Sequence, residues 1–210
     1  MYRSLQNSGF RVTLPDVGRK LEFDYDRALH RATRLFWAKG YSNTSLRDLL
    51  KAMGIRESSF YNIAKSKKAL YLEALKYYND SVTRRRLEAF TSEKSVRKGV
   101  RKFFQTVLDE LDDPKTPRVC LMAGSLSTDV LEETEFSDYV LGEMRLFEKV
   151  LVDRLAAARR TGELPATFKP DVAAQVIVTY LQGLFRVVRV LKDRREMERQ
   201  IEALLSGLGL

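Results

Sequence analysis

TSLRDLLKAMGIRESSFYNIAKSKKALY, residues Thr44 to Tyr71, decides how the rest of the chain is read. Two short helical patterns meet at Gly54, which accepts the positive φ that stops the first of them. Leu49, Met53, Ile55, Phe60 and Ile63 stand at the apolar offsets that a steeply crossed helix pair needs around a tight turn. Ser45 with Asp48 three residues later is a capping-box start for the first helix. The second helix carries Arg56, Glu57, Ser58, Ser59, Tyr61 and Asn62 on its outward side. A buried hairpin has no use for so many short polar groups, whereas a surface that meets phosphates and base edges does. The pattern predicts a helix-turn-helix.

Outward from this stretch the helical spacing continues. Tyr25, Ala28, Leu29, Ala32, Leu35 and Phe36 mark a helix that opens after Asp24 and stops at Gly40. Ser66 opens a long helix to about Phe90. Further helices are expected near 95–111, 119–131, 137–160, 170–191 and 194–207, with Asp112-Asp113-Pro114, Thr161-Gly162 and Asp193 between them. Pro170 suits a first helical turn. The fold class is all-α. The expected organisation is a mobile basic arm over 1–20, a helix-turn-helix domain over 21–66 and a larger helical domain over 67–210.

Charge is uneven along the 210 residues. Residues 1–80 hold 15 Lys and Arg against 8 Asp and Glu, while residues 81–210 hold 22 against 20. A basic lobe beside a near-neutral one points to nucleic acid on one side and something else on the other. Cys120 is the only cysteine, so no intrachain disulfide forms. It is read as a small buried hydrophobe, with a thiol sensor beside Arg118 as the other reading. The most apolar run, 172–191, is interrupted by Gln175, Gln182, Arg186 and Arg189. Neither it nor the N-terminus reads as a membrane anchor, and a cytoplasmic location is expected. The only histidine, His30, has no Cys or His beside it for a metal or a nucleophile-base pair, and no phosphate-cradling glycine loop is present. No cofactor, metal or enzymatic activity is expected.

The run LFWAKGYSNTSLRDLLKAMGIRESSFYNIAKSKKALY resembles the DNA-binding region of the tetracycline-repressor (TetR) family. The resemblance rests on Leu35, Phe36, Gly40 and Tyr41 at the end of the first helix, Thr44-Ser45 at the second, Tyr61 near the end of the third and Ser66-Lys67 at the fourth. It implies phosphate contacts from Thr44, Ser45, Tyr61 and Lys67, with base reading among Arg56, Ser58, Ser59 and Asn62. Two departures stand out. Leu50 and Ala64 exchange the small and large residues usual at their positions, as a volume swap within one core would. Arg56 stands where a short capping Ser is common. One helix reads few base pairs, so a homodimer on a pseudo-palindromic double-stranded operator is expected, its two recognition helices about 34–36 Å apart. Arg3, Arg11, Arg19 and Lys20 are candidate further contacts, although simple disorder of that arm is the first expectation.

The resemblance also implies that the larger lobe dimerises and holds a small-molecule effector of unidentified chemistry. Tyr180, Leu184, Val187, Leu191, Ile201 and Leu205 are the dimer candidates, some of them expected to be the monomer's own core. Phe103, Leu108, Met122 and Phe147 are candidate pocket lining, with Ser125, Tyr139, Gln182 and Arg186 as polar anchors. The function expected is a dimeric repressor released from its operator by an effector. An architectural DNA-binding protein of little sequence preference is the alternative.

Overall fold

A computed structural model describes residues 24–210, and every helix below lies within them. The expected arm over 1–20 lies outside the described residues. Asp24 caps α1 (Tyr25–Lys39) by accepting from the Arg27 amide at 2.9 Å, and Gly40 ends it at φ 81°. Helix α2 (Leu46–Met53) starts at the expected capping box: Ser45 Oγ accepts from the Asp48 amide at 3.1 Å, and Asp48 accepts from the Ser45 amide at 3.2 Å. Gly54 ends it in the left-handed region at φ 73°, ψ 34°. Helix α3 (Glu57–Ala64) follows at once, with Arg56 as its N-cap and no side-chain cap, as the residue there implies.

The α3–α4 link is a single-residue reversal. Lys65 has φ 57° and ψ −46°, and the Ser66 amide reaches back to the Ala64 carbonyl at 2.5 Å. This is a γ-turn of the strained hand. Ser66 then caps α4 (Lys67–Tyr78), which runs through a π-helical turn (Asn79–Thr83) into α5 (Arg84–Ser92). Buried residues recur along this rod at Leu70, Ala74, Tyr78, Val82, Arg86 and Phe90. Helix α6 (Val96–Asp112) packs back against α5, and Gly99 is the reason that it can. A Cβ at Gly99 would stand 2.5 Å from the Phe90 carbonyl oxygen.

The single helix expected near 119–131 is instead two one-turn helices, α7 (Leu121–Gly124) and α8 (Thr128–Leu131), separated by a turn at 125–127. Ser125 breaks the run, because its hydroxyl bonds the Leu121 carbonyl at 2.8 Å and Tyr71 Oη at 2.7 Å. Helix α9 (Thr134–Arg160) starts earlier than expected. Helix α10 (Pro170–Val187) has Pro170 in its first turn and ends in a turn over 188–190, short of the expected 191, before α11 (Arg194–Gly207). Leu50 packs against the same continuous core in which Ala64 is buried.

Aromatic rings join α1, the loop after it and α4 to α9. Phe136 of α9 lies edge-on to Tyr41 at 5.1 Å and to Tyr71 at 5.0 Å, and Phe36 meets Tyr71 at 4.9 Å. Beside them Lys68 pairs with Glu133 at 2.6 Å. A second tie lies beside the first at the same end of α1, where Trp37 Nε1 donates to the Val119 carbonyl at 2.7 Å. No helix among the described residues is long and apolar enough to cross a membrane.

Candidate functional site

Helix α3 is two-faced. Phe60 and Ala64 are buried, while Arg56, Glu57, Ser58, Tyr61 and Asn62 are exposed and Ser59 is half-buried. Tyr61 is 52% exposed and stands edge-on to Phe60 at 5.5 Å, so its hydroxyl is carried outward on a supported ring. Ser45 is exposed at the start of α2, and its capping role uses only an acceptor lone pair, which leaves its hydroxyl hydrogen for an outside oxygen. Lys67 opens α4 with Nζ 4.3 Å from the centre of the Tyr41 ring. Partial burial holds its pKa below the ordinary lysine value. Ser45, Arg56, Ser58, Tyr61, Asn62 and Lys67 therefore sit at the ends and outer side of three consecutive helices.

Thr44 is placed otherwise. It is 0% exposed, and its hydroxyl donates to the Gly40 carbonyl at 2.6 Å while its amide bonds the Tyr41 carbonyl at 3.2 Å. Its donors are spent on shaping the loop before α2, so it positions Ser45 rather than touching a phosphate. Two surface cations were not among the expected site residues: Arg47 on α2 and Lys65 in the γ-turn, both exposed. Their exposure could be anticipated from helical phase for Arg47, but nothing local signalled the turn at Lys65.

The candidate pocket residues are spread over α6, α7, α9 and α10 and the turn after α7. Phe103 stacks on Phe147 at 5.3 Å, and Leu108 is core. Met122 is buried on α7, and Ser125 is spent on Tyr71 and Leu121. Burial lifts the pKa of half-buried Tyr139 well above the ordinary tyrosine value. Arg186 is exposed with Nη2 3.4 Å from the Ala123 carbonyl. Gln182 Oε1 and Tyr180 Oη are buried without a hydrogen-bond partner among the described residues. Hollows of about 510 and 460 Å³ lie elsewhere, along α1 beside the loop before α7.

The dimer candidates divide. Leu184, Ile201 and Leu205 are buried in the monomer and cannot form a surface, whereas Val187 is 46% exposed. Tyr180 and Leu191 are half-buried. The exposed apolar positions on α10 and just past it are Val172, Val176, Val187 and Val190, with the open Gly183 between them. Their spacing makes one stripe.

Inside the lobe, Cys120 is buried with Sγ 3.5 Å from Tyr78 Oη and 3.8 Å from Arg86 Nη1. His30 is exposed on α1 with Nδ1 3.2 Å from Tyr77 Oη. No group of three His, Cys, Asp or Glu among the described residues is placed to hold a metal.

Two family profiles match. "Bacterial regulatory proteins, tetR family" covers residues 28–74, and "Tetracyclin repressor-like, C-terminal domain" covers 97–204. Over 196 residues the chain is 29% identical to an uncharacterized HTH-type transcriptional regulator, YezE, of Bacillus subtilis, spanning 91% of this chain and 100% of that one. It is 27% identical over 168 residues to the HTH-type transcriptional repressor ComR of Escherichia coli, spanning 80% of each. Among solved structures, the regulator CifR in complex with 26-bp double-strand operator DNA superposes with a TM-score of 0.82 at 29% identity, covering 90% of this chain and 98% of that one.

Proposed function

This chain belongs to the tetR family of bacterial regulatory proteins, and we propose that it is a homodimeric repressor released from a pseudo-palindromic operator by a small-molecule effector. It is a DNA-binding transcriptional regulator rather than an enzyme. The observation that carries the finer reading is the two-faced α3. Phe60 and Ala64 fix it to the core, and that directs Arg56, Ser58 and Asn62 outward as base readers. Ser45, Tyr61 and Lys67 flank them as phosphate donors that set register. The operator complex of CifR and the repressor name of ComR support carrying this to the present chain.

Dimerisation through the α10 stripe of Val172, Val176, Val187 and Val190 would cover apolar surface that one copy leaves in water. The unpartnered Tyr180 hydroxyl and Gln182 carbonyl inside the lobe support a polar guest there, since buried polar groups normally have partners. An effector acts by binding one arrangement of the two recognition helices better than the other.

The test is fluorescence anisotropy of the purified protein with DNA from its own upstream region, against scrambled DNA at fixed salt. Specific binding at least about a hundredfold tighter is the expected result. Equal, steeply salt-dependent binding to both sequences is what an architectural protein would give, and it would refute the repressor reading.

A further inference from the structure

The hollow of about 510 Å³ lies where α1, the 113–120 loop and the turn after α10 converge. Its lining includes Arg34, Lys115, Arg118 and Arg189, and no Asp or Glu. Four cations around one hollow repel one another, and nothing in the lining offsets them. Arg118 sharpens the point. Its Nε and Nη2 are out of contact with solvent and have no hydrogen-bond partner among the described residues. Guanidinium groups left without an acceptor at such a position are rare, because desolvating them unpaired is costly. Arg34 is already set at the rim: it lies 5.5 Å from the centre of the Trp37 ring and donates to the Lys115 carbonyl. Asp113, outside the lining, accepts from the Lys115 amide and the Thr116 hydroxyl, each at 2.9 Å; these bonds, with the charges of Lys115 and Arg34, hold its pKa below the ordinary carboxylate value, so it offsets part of the charge of those two cations only.

We infer that this cleft binds a small molecule carrying a compact dianionic oxyanion group, either a phosphate monoester or a pair of carboxylates. The forked donors of Arg189, and of Arg118 once its side chain turns to bring Nε and Nη2 to the hollow, suit bidentate oxygen acceptors, and Lys115 adds a point charge. The volume admits a ligand the size of a sugar phosphate and excludes a folded polymer. The site differs in place and chemistry from the interior of the lobe near Tyr180 and Gln182. It also spans the junction of the molecule, since Arg34 belongs to α1 while Arg118 and Arg189 belong to the other lobe. An anion that draws these groups together fixes α1 against the 113–120 loop. Whether that alters DNA binding rests on the reading above, but binding itself does not.

The test is titration calorimetry of the full chain with glucose 6-phosphate and, separately, with succinate, at constant ionic strength and without DNA. Saturable one-to-one binding of either is expected, and the one that binds tells phosphate from dicarboxylate. Arg118→Gln and Arg189→Gln should each weaken it at least tenfold, while Lys149→Gln, remote on α9, leaves it unchanged. Arg118→Gln should also raise the melting temperature of the free protein, because it removes an unpaired cation, and this confirms that the variant folds. Absence of saturable binding by both probes, or equal binding by Arg118→Gln, overturns the inference. Anisotropy with DNA, with and without the binding probe, then reads the coupling, so a failed cleft and a failed DNA reading are told apart.

Discussion

Neutralising Glu110 should be among the most damaging single changes of side-chain charge in this protein. Its carboxylate, 9% exposed on α6, accepts from Arg86 Nε at 2.7 Å and Arg86 Nη2 at 2.6 Å, and from Arg85 Nη2 at 2.7 Å. Arg86 is itself 4% exposed, with its guanidinium 5.1 Å from the Phe185 ring centre and Nη2 3.3 Å from Tyr78 Oη. The cation's neighbours beyond Glu110 are thus neutral rings, a phenol and a thiol. Removing one partner of a buried pair typically costs about 3–5 kcal/mol, because the other charge stays buried and uncompensated. Glu110→Gln keeps the shape and one acceptor, and the Tyr78 and Phe185 contacts remain, so the low end, about 3 kcal/mol, is expected. With a urea dependence of about 2–3 kcal/mol per molar, the midpoint falls by about 1 M or more. Urea denaturation followed by circular dichroism at one fixed protein concentration measures it, since self-association would otherwise move the midpoint. The double variant Arg86→Met, Glu110→Leu removes both charges and should recover most of the loss. A cost below about 1 kcal/mol for Glu110→Gln, or a double variant no more stable than the single, would refute the reasoning.

Gly99→Ala should cost about 1–3 kcal/mol or more by thermal melting, since its Cβ would meet the Phe90 carbonyl oxygen at 2.5 Å and force α5 from α6; a neutral effect would mean that the helices part freely. Lys65→Gly should stabilise by about 1 kcal/mol, because glycine adopts φ 57° without the steric cost, and a lowered melting temperature would contradict this. Glu163 caps α6 from the far loop, accepting from Ser95 Oγ at 2.7 Å and the Val96 amide at 3.1 Å. Partial burial alone would raise its pKa, but these bonds and the Arg97 amide hold it below the ordinary value of 4.5. Its stabilisation is therefore present above that unfolded-state value and lost as pH falls through the lower folded one. Glu163→Gln should lower stability at pH 7 by about 1 kcal/mol and flatten its fall below pH 4.5 in parallel urea titrations; an unchanged acid slope would count against the cap.

The helix-turn-helix was legible because its determinants are local. Gly54, the Ser45–Asp48 box and the apolar offsets all act within a few residues, and each has the predicted geometry. The uncapped start of α3 was equally plain from Arg56. What the sequence concealed depends on distant partners. Thr44 looks like a surface donor until its hydroxyl is seen to donate to the Gly40 carbonyl. Ser125 looks like a pocket anchor until Tyr71, far away in sequence, comes within reach and splits the expected helix in two. Leu184, Ile201 and Leu205 share a helical pattern with exposed Val187, and only packing shows which side of each helix faces inward. The cationic hollow joins α1 to residues some eighty and more than one hundred and fifty positions later, and no spacing rule links them.

The π-helical turn at Asn79–Thr83 governs the angular phase of the whole shaft that runs from Lys67 to Ser92. In a regular α-helix, positions four apart precess by about 40°, so five such steps from Leu70 to Phe90 would wind the buried line about 200° around the rod. The wider turn takes up part of that precession and keeps the line on one side. Phase along the rod is thereby adjusted at one short segment. Tightening these five residues to α geometry without a deletion would turn the Lys67 end against the Phe90 end by roughly a quarter turn, whereas excising one residue as well would nearly restore the phase. The segment is a torsional coupling, and its length in residues fixes how the helices that carry Arg56 and Asn62 are indexed to the rest of the molecule.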